Sequence, residues 1–167
     1  MFKLIWWLVI GWWYRPTKAI FKFIFSSIPL DNPSAKVPDV LSFTVRSWGE
    51  YNSNIEAWQS KNARDLWVDA TYTEKPIYHY SWKNNIPVFF VAEPDNIHDN
   101  KAIAVYLDGV QIGYVPHNTN IQYHNFILKK KCGIASIHGG NRKKLDPYGD
   151  LIVEKFDPVV DVDIVNE

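Results

Sequence analysis

The chain has 167 residues, which is enough for one domain of ordinary size and an additional segment. Hydrophobic residues make up 47% of it and charged residues 22%, a globular composition. The formal net charge is zero, but residues 1–30 carry four basic and no acidic side chains, so the remainder carries −4. This balance excludes binding of polyanions through overall charge and leaves only a local basic patch for that role.

Cys132 is the only cysteine in the chain. A single thiol excludes an intrachain disulfide and a cysteine-based zinc site. It fits a reducing compartment, so the sequence predicts a cytoplasmic location.

Residues 1–28 are apolar and aromatic and predict a separate hydrophobic helix. The uninterrupted apolar run Leu4–Tyr14 is shorter than the roughly 20 residues of a membrane-spanning helix. At about 100° per residue, the basic side chains fall on one side of the helix. They are Lys3, Arg15, Lys18 and Lys22. The pattern favours a helix lying on the inner face of a membrane. Packing on the rest of the protein, oligomerisation and a true span are the alternatives.

Residues 29–39 contain three prolines and predict a linker to a β domain over residues 40–167. Leu41–Trp48 is predicted as a strand and Asn52–Arg64 as a helix. The aromatic, β-branched stretch from Trp67 to Trp82 predicts two short strands separated by Glu74–Pro76.

The remaining sequence predicts several short strands and one further helix. Asp108-Gly109 tolerates the positive φ values of a tight hairpin, which makes it the clearest turn signal. A helix is predicted from Asn118 or Thr119, as its cap, to Lys130. The predicted strands are Pro87–Ala92, Ala102–Leu107, Val110–Val115, Ile134–Ile137, Leu151–Phe156 and Val159–Val165. We therefore expect a mainly β (α+β) domain, a small barrel or half-open sheet of about six to seven strands with one or two helices.

The polar cluster "EPDNIHDN" before the predicted hairpin places four Asp and Asn residues around His98. Such side chains commonly bond their own backbone in a turn, and we expect this of Asn100. For Asp99 the sequence leaves a turn role and a ligand-binding role open. Tyr114, at the end of the hairpin, is predicted to be a core residue.

The stretch "VFFVAEPDNIHDNKAIAVYLDGVQIGYVP" resembles the core of the HIRAN domain family. That signature is a strand, then Glu-Pro-x-Asn-Pro-Tyr-Asp-x-Asn-Ala-Ile, then a hairpin ending in Gly-Tyr-hydrophobic-Pro. The matching residues are Glu93, Pro94, Asn96, Asp99, Asn100, Ala102, Ile103, Val105, Gly113, Tyr114 and Pro116. "IASIHGGNRK" and "PVVDVDIV" resemble later strands of the family. The resemblance is strong over residues 86–143 and weaker over 40–85, where it implies an insertion around residues 50–82.

The resemblance implies a small OB-like or SH3-like barrel that binds single-stranded DNA. In helicase-linked members the domain holds the 3′ end, an aspartate accepts a hydrogen bond from the terminal hydroxyl, and aromatic rings stack on the last bases. By position, Asp99 would receive the hydroxyl and Asn96 would shape the turn. His98 stands where the family has tyrosine, and Ile97 where it has proline.

Nearby rings and basic clusters complete the predicted site. Stacking on rings is independent of base sequence, and basic side chains follow a phosphate backbone. The candidates are Tyr78, Tyr80 and Trp82 as the platform, with Lys129, Lys130, Arg142 and Lys143 as the basic contacts. Core positions for the rings and solvated faces for the lysines are the alternatives.

No catalytic motif is present in the sequence. "HGGNRKK" lacks the spacing and hydroxyl residue of a phosphate-binding loop. No oriented base accompanies Cys132, and the spacing of His117, His124 and His138 fits no familiar metal site. We therefore predict a non-enzymatic module, without cofactor or metal, that binds the 3′ end of single-stranded DNA and is tethered to a membrane by residues 1–28. The alternative is a scaffold that uses the same barrel to bind an unidentified protein.

Overall fold

A computed structural model describes residues 36–166 of the chain. The predicted helix over residues 1–28 lies outside the described residues, as does most of the predicted linker. The described elements are mostly short strands, with two helices among them. They are β1 (Val40–Thr44), α1 (Glu50–Asn62), β2 (Ile77–Tyr78), β3 (Lys83–Glu93), β4 (Ala102–Leu107), β5 (Val110–Tyr114), α2 (His117–Lys130), β6 (Cys132–Gly139), β7 (Arg142–Leu145), β8 (Leu151–Glu154) and β9 (Pro158–Val165).

Six strands form one antiparallel sheet in the order β1-β9-β6-β3-β4-β5. In β1 and β9 buried side chains alternate strictly with more exposed ones, so every second side chain faces the core. This pattern is expected of a sheet with one solvated face. The inner face forms a single apolar core with Ile55 of α1 and Ile127 of α2. Because β4 is buried along almost its whole length, both of its faces are covered.

The two edges of this sheet approach each other just beyond β1. Arg46 and Tyr114 form an isolated antiparallel bridge, with N–O distances of 2.8 and 3.0 Å between their backbones. Gly113 allows this approach, because a Cβ at its position would collide with the carbonyl oxygen of Arg46. Its φ of 142° also lies in a region that side-chain-bearing residues rarely adopt. One bridge does not make a continuous ladder, so the sheet curls without forming a closed barrel.

Both helices begin close to the β1–β5 bridge. Helix α1 contacts β5, and α2 contacts β3 and β4. Neither helix has a side-chain N-cap: Gly49 precedes α1 and Pro116 precedes α2. Helix α2 bends at Tyr123, where the backbone leaves helical φ and ψ. Within residues 36–166 no helix is both long and apolar enough to cross a bilayer.

A second, three-stranded antiparallel sheet has the order β2-β7-β8. Glu154 on β8 forms ion pairs with two of this sheet's basic residues, Arg142 and Lys144. These pairs raise the pKa of Arg142 and lower the pKa of Glu154. One carboxylate is thus shared by two of the three basic residues of β7, which keeps a net positive charge.

Over residues 36–166 the predicted fold class is confirmed as mainly β, with two helices. The hairpin is confirmed by φ values of 48° at Asp108 and 79° at Gly109. Three expectations were wrong. Nine strands are described rather than six or seven, because β7 and the two-residue β2 build a separate small sheet. The stretch before Glu74 forms turns instead of a strand. The Asn118 or Thr119 cap of α2 is also wrong, since that helix starts at His117.

Candidate nucleic-acid interface

The loop between β3 and β4 is folded around the side chain of Asn96. Its Oδ1 accepts hydrogen bonds from the backbone N–H groups of His98 (3.0 Å) and Asp99 (3.3 Å). Its Nδ2 donates to Oε2 of Glu93 at 2.9 Å. A short side chain with one acceptor and one donor end is needed to join both sides of this turn. Asn96 therefore fixes the path of the backbone that carries Asp99.

Tyr114 connects this loop to the curled sheet. Its hydroxyl donates to Oε2 of Glu93 at 2.9 Å and lies 3.4 Å from the hydroxyl of Tyr51. Burial, the bond with Tyr51 and the nearby Glu93 carboxylate together raise the pKa of Tyr114 to about 12. The phenol consequently stays protonated at neutral pH and remains a donor. Tyr114 is half-buried and lines a cleft, so the prediction of a core position was wrong.

A cleft of about 450 Å³ opens beside this loop. It lies where the loop, the bridge of Arg46 to Tyr114 and the first turns of α1 and α2 converge. Its lining combines rings, amides, two histidines, one arginine and one carboxylate. The residues are Arg46, Trp48, Tyr51, Asn96, His98, Asp99, Ala102, Tyr114, Val115, His117 and Asn120.

Three rings form a cluster in the cleft wall. Trp48 stacks on Tyr114 with a centroid separation of 5.9 Å and an interplanar angle of 17°. Tyr51 meets both rings edge-on, at 5.4 Å from Trp48 and 5.7 Å from Tyr114. Trp48 nevertheless remains 57% exposed. A large exposed ring held by two neighbours can receive a further flat group by stacking.

Asp99 is the carboxylate of the cleft. Its Oδ1 accepts the backbone N–H of Lys101 at 2.9 Å, and its Oδ2 lies 3.4 Å from Nδ1 of His117. About one third of the side chain is exposed, against two thirds for His117. One oxygen of Asp99 thus holds the turn, while the other faces the exposed imidazole of His117. An ionised carboxylate in this position can accept a hydrogen bond from a ligand hydroxyl.

The floor of the cleft is anchored by Asn120, which is 3% exposed. Its Nδ2 donates to the carbonyl oxygen of Lys101 at 2.6 Å, and its Oδ1 bonds Nδ1 of His124 at 2.7 Å. The start of α2 is thereby fixed to the same turn that carries Asp99. His124 and His138 do not meet His117, and the described part of the chain contains no cluster of three potential metal ligands.

The predicted site residues fall into two groups. The cleft brings together Asn96, His98 and Asp99. It does not include the predicted platform rings Tyr78, Tyr80 and Trp82, nor any of the predicted basic contacts. The rings that do line it, Trp48 and Tyr51, were missed because they lie far upstream in sequence and only the folded edge brings them to the loop.

A separate ring-and-cation surface contains part of the second group. Trp67, His79 and Tyr80 form a continuous stack, with centroid separations of 3.9 and 4.1 Å. The ammonium of Lys143 lies 4.0 Å from the Trp67 ring centroid, and Trp82 is 64% exposed beside His138. Lys129 and Lys130 are the last two residues of α2, beyond the bend at Tyr123 and at the opposite end of the helix from His117.

Comparison with known proteins identifies one family. The model described as "HIRAN domain" matches residues 71–156, just over half of the chain. No curated protein and no solved structure matched the chain. The matched range contains Asn96, Asp99 and Tyr114 but begins after Trp48 and Tyr51.

Proposed function

Because the chain belongs to the HIRAN domain family, whose members are generally modules that bind single-stranded DNA, we propose that its cleft binds the 3′-terminal nucleotide of such a strand. The observation that carries this proposal is the position of Asp99 Oδ2. This oxygen lies at the edge of a cleft of nucleotide size whose wall includes the exposed ring of Trp48. The HIRAN domain is a binding module and is not itself catalytic, so the proposed function is capture of a strand end.

The chemistry of Asp99 favours a free hydroxyl over a phosphate. A 3′-hydroxyl can donate to Oδ2 in a charge-assisted bond, which is about twice as strong as a neutral one. A 3′-phosphate has no such donor at neutral pH and brings negative charge against the carboxylate. The family resemblance assigns the same role to the aspartate at this position.

The rings supply affinity that does not depend on sequence. The face of Trp48 opposite Tyr114 is the natural platform for the terminal base, because the other face is occupied by the stacking contact. Stacking of one base on such a ring contributes about 1–3 kcal/mol. Tyr51, edge-on to both rings, holds Trp48 in place at low entropic cost.

Arg46 is the cationic side chain of the cleft wall, and its backbone is fixed by two hydrogen bonds to Tyr114. Its exposed guanidinium is suited to the phosphate that precedes the terminal nucleotide. The more distant residues Lys129, Lys130, Arg142 and Lys143 stay predictions for the path of the upstream strand. Arg142 is the weakest of them, since its charge is already paired with Glu154.

A direct titration tests the proposal. The full chain is titrated with a 5′-labelled oligonucleotide that ends in either a 3′-hydroxyl or a 3′-phosphate, and binding is followed by fluorescence anisotropy. We expect the hydroxyl form to bind about 10- to 100-fold more tightly, the equivalent of one charge-assisted hydrogen bond. Asp99→Asn, which keeps the shape of the side chain, should reduce that ratio towards one.

Asp95→Asn is the matched control, because Asp95 is an exposed carboxylate of the same loop that does not line the cleft. It removes the same charge and should leave the ratio unchanged. Equal affinity of the wild-type chain for both oligonucleotides would eliminate capture of the 3′ end. Equal losses in the Asp95 and Asp99 variants would reduce the effect to overall charge.

Membrane attachment is a second part of the proposal and depends on the sequence of residues 1–28 alone. We propose that this segment binds the anionic inner surface of a membrane and keeps the domain at a cytoplasmic face. Flotation with anionic liposomes, using the full chain and a chain lacking residues 1–28, tests it. Retention of liposome binding in the shortened chain would show that residues 1–28 are not the attachment.

A further inference from the structure

One row of side chains crosses the outer face of the six-stranded sheet and shares no residue with the cleft. Directly paired residues on neighbouring strands project to the same face of a sheet. Val40 pairs with Val165, and Phe89 pairs with Cys132 on one side and with Tyr106 on the other. Ile134, the next outward residue of β6, pairs with Pro87. The register therefore places these apolar residues in one band across five strands.

The band is open to solvent in the described chain. The outward positions of an antiparallel sheet with one solvated face are normally polar. Here Phe89 is 52% exposed, Val40 47% and Val165 48%. Ile134 and Cys132 are exposed as well, and Tyr106 is half-buried. A contiguous exposed apolar band of this kind indicates an interaction surface rather than scattered surface residues.

The charges beside the band differ in sign on its two sides. At the end of α2, Lys129 and Lys131 are exposed, and Lys131 directly precedes Cys132. On the opposite side of the row that contains Phe89 and Cys132, the exposed Asp163 pairs in register with Ile134, and Asp161 lies two residues further along β9. The Asp163 carboxylate accepts a hydrogen bond from Ser42 at one oxygen, whereas the two oxygens of Asp161 contact Thr44 and His138.

This arrangement is complementary to itself. If two copies face each other across a two-fold axis that runs along the band, each band residue meets its own counterpart. The lysine side of each copy then faces the acidic side of the other, so the symmetry gives two equivalent contacts. A two-fold interface uses the same patch on both subunits, so a patch with opposite charges on its two sides meets that requirement.

We propose that this band is the contact surface of a homodimer, with Phe89 and Cys132 near the two-fold axis and Lys131 opposite Asp163 of the second copy. The DNA-binding cleft is not required for this contact, so the dimer carries two clefts. The inference is independent of the proposed function, because none of the residues that carry it lines the cleft.

Cross-linking through the single cysteine tests the axis. The full chain is treated with a short bismaleimide at several protein concentrations, and the products are separated by denaturing electrophoresis. Each thiol adds across one maleimide double bond, so a covalent dimer forms only where two Cys132 side chains approach each other. We expect a dimer whose yield rises with concentration and is lost in Phe89→Ser. Association without any Cys132 cross-link would overturn the proposal.

Charge reversal tests the pairing across the interface. Lys131→Glu and Asp163→Lys should each raise the dimer dissociation constant about tenfold, measured by sedimentation equilibrium, because the symmetry repeats each changed contact although single exposed ion pairs are weak. The double variant should recover most of the wild-type value. Additive losses in the double variant, or an association that none of the three variants changes, would assign self-association to another surface and refute this one. Thermal unfolding confirms that each variant is folded.

Discussion

The amide of Asn96 provides a sharp test of how the cleft loop is held. Replacing Asn96 with Asp changes one NH₂ group to an oxygen and leaves the shape of the side chain intact. The acceptor end, which bonds the N–H groups of His98 and Asp99, is preserved. The donor end is lost, and a second negative oxygen is placed where Nδ2 lay 2.9 Å from Oε2 of Glu93.

The magnitude follows from these contacts. Loss of a hydrogen bond to a charged acceptor costs about 1.5–3 kcal/mol, and two carboxylates at about 4 Å repel by up to about 4 kcal/mol where solvent screening is moderate. Since both groups are only half-buried and can move apart, we expect Asn96→Asp to lower the free energy of unfolding by about 2–3 kcal/mol at pH 7. Asn96→Ala removes the bonds without adding charge and should cost about 1–2 kcal/mol.

The pH dependence separates the two variants. In the Asn96→Asp variant, a proton shared between the carboxyl groups of residues 96 and 93 restores the hydrogen-bond donor. Folding therefore raises the pKa of this pair, and the stability of the variant should improve as the pH falls towards 5. The Ala variant should show no such recovery relative to the wild type. Urea unfolding followed by tryptophan fluorescence at pH 5 and pH 7 measures both. An Asp variant at least as stable as the Ala variant at pH 7 would refute the hydrogen-bond assignment.

Three further predictions concern the cleft wall. Gly113→Ala should lower the free energy of unfolding by about 2 kcal/mol or more, because its Cβ would collide with the backbone of Arg46. A Cβ at Gly109 meets nothing within 4 Å, so Gly109→Ala should cost only the left-handed backbone penalty of about 1 kcal/mol. Similar losses for the two variants in thermal unfolding would contradict the close approach at Arg46. Arg46→Gln should reduce the slope of log affinity against log salt by about 0.7, the value for one phosphate contact to a single strand, and an unchanged slope would remove that contact. Because the pKa of Tyr114 is raised to about 12, its folding contribution is complete below pH 10 and should be lost between pH 10 and 12. Tyr114→Phe should remove that part of the alkaline transition, and identical pH–stability curves would count against it.

Local signals in the sequence predicted those parts of the site that are close together along the chain. Asn96, His98 and Asp99 share one turn, and the Asp108-Gly109 hairpin follows from backbone preferences alone. The rings could not be predicted in this way. Trp48 and Tyr51 come to the loop only because the backbone of Arg46 bridges Tyr114, a contact between residues 68 positions apart. The nearest signal was Gly113, whose conformation is needed for that bridge.

The predicted platform residues lie outside the cleft for a similar reason. Alternating aromatic residues at Tyr78, Tyr80 and Trp82 are as typical of a binding surface as of internal stacking. In the folded chain Tyr80 stacks on His79, and Arg142 and Lys144 share one carboxylate partner, Glu154. A sequence pattern carries no information on which partner a ring or a charge will find. The predicted barrel was wrong for one reason: the two edges of the sheet are joined by a single bridge, Arg46 to Tyr114, instead of a continuous ladder of hydrogen bonds.

Photocross-linking of a bound strand tests the central claim most directly. An oligonucleotide with a photoreactive thymidine analogue as its 3′-terminal nucleotide is bound to the full chain, irradiated and mapped by mass spectrometry of the peptides. We predict cross-links to Trp48, Tyr51 or His98, which surround the proposed position of the terminal base. Cross-links confined to Trp67, Tyr80 or Trp82 would place the strand end on the other aromatic surface and contradict the account.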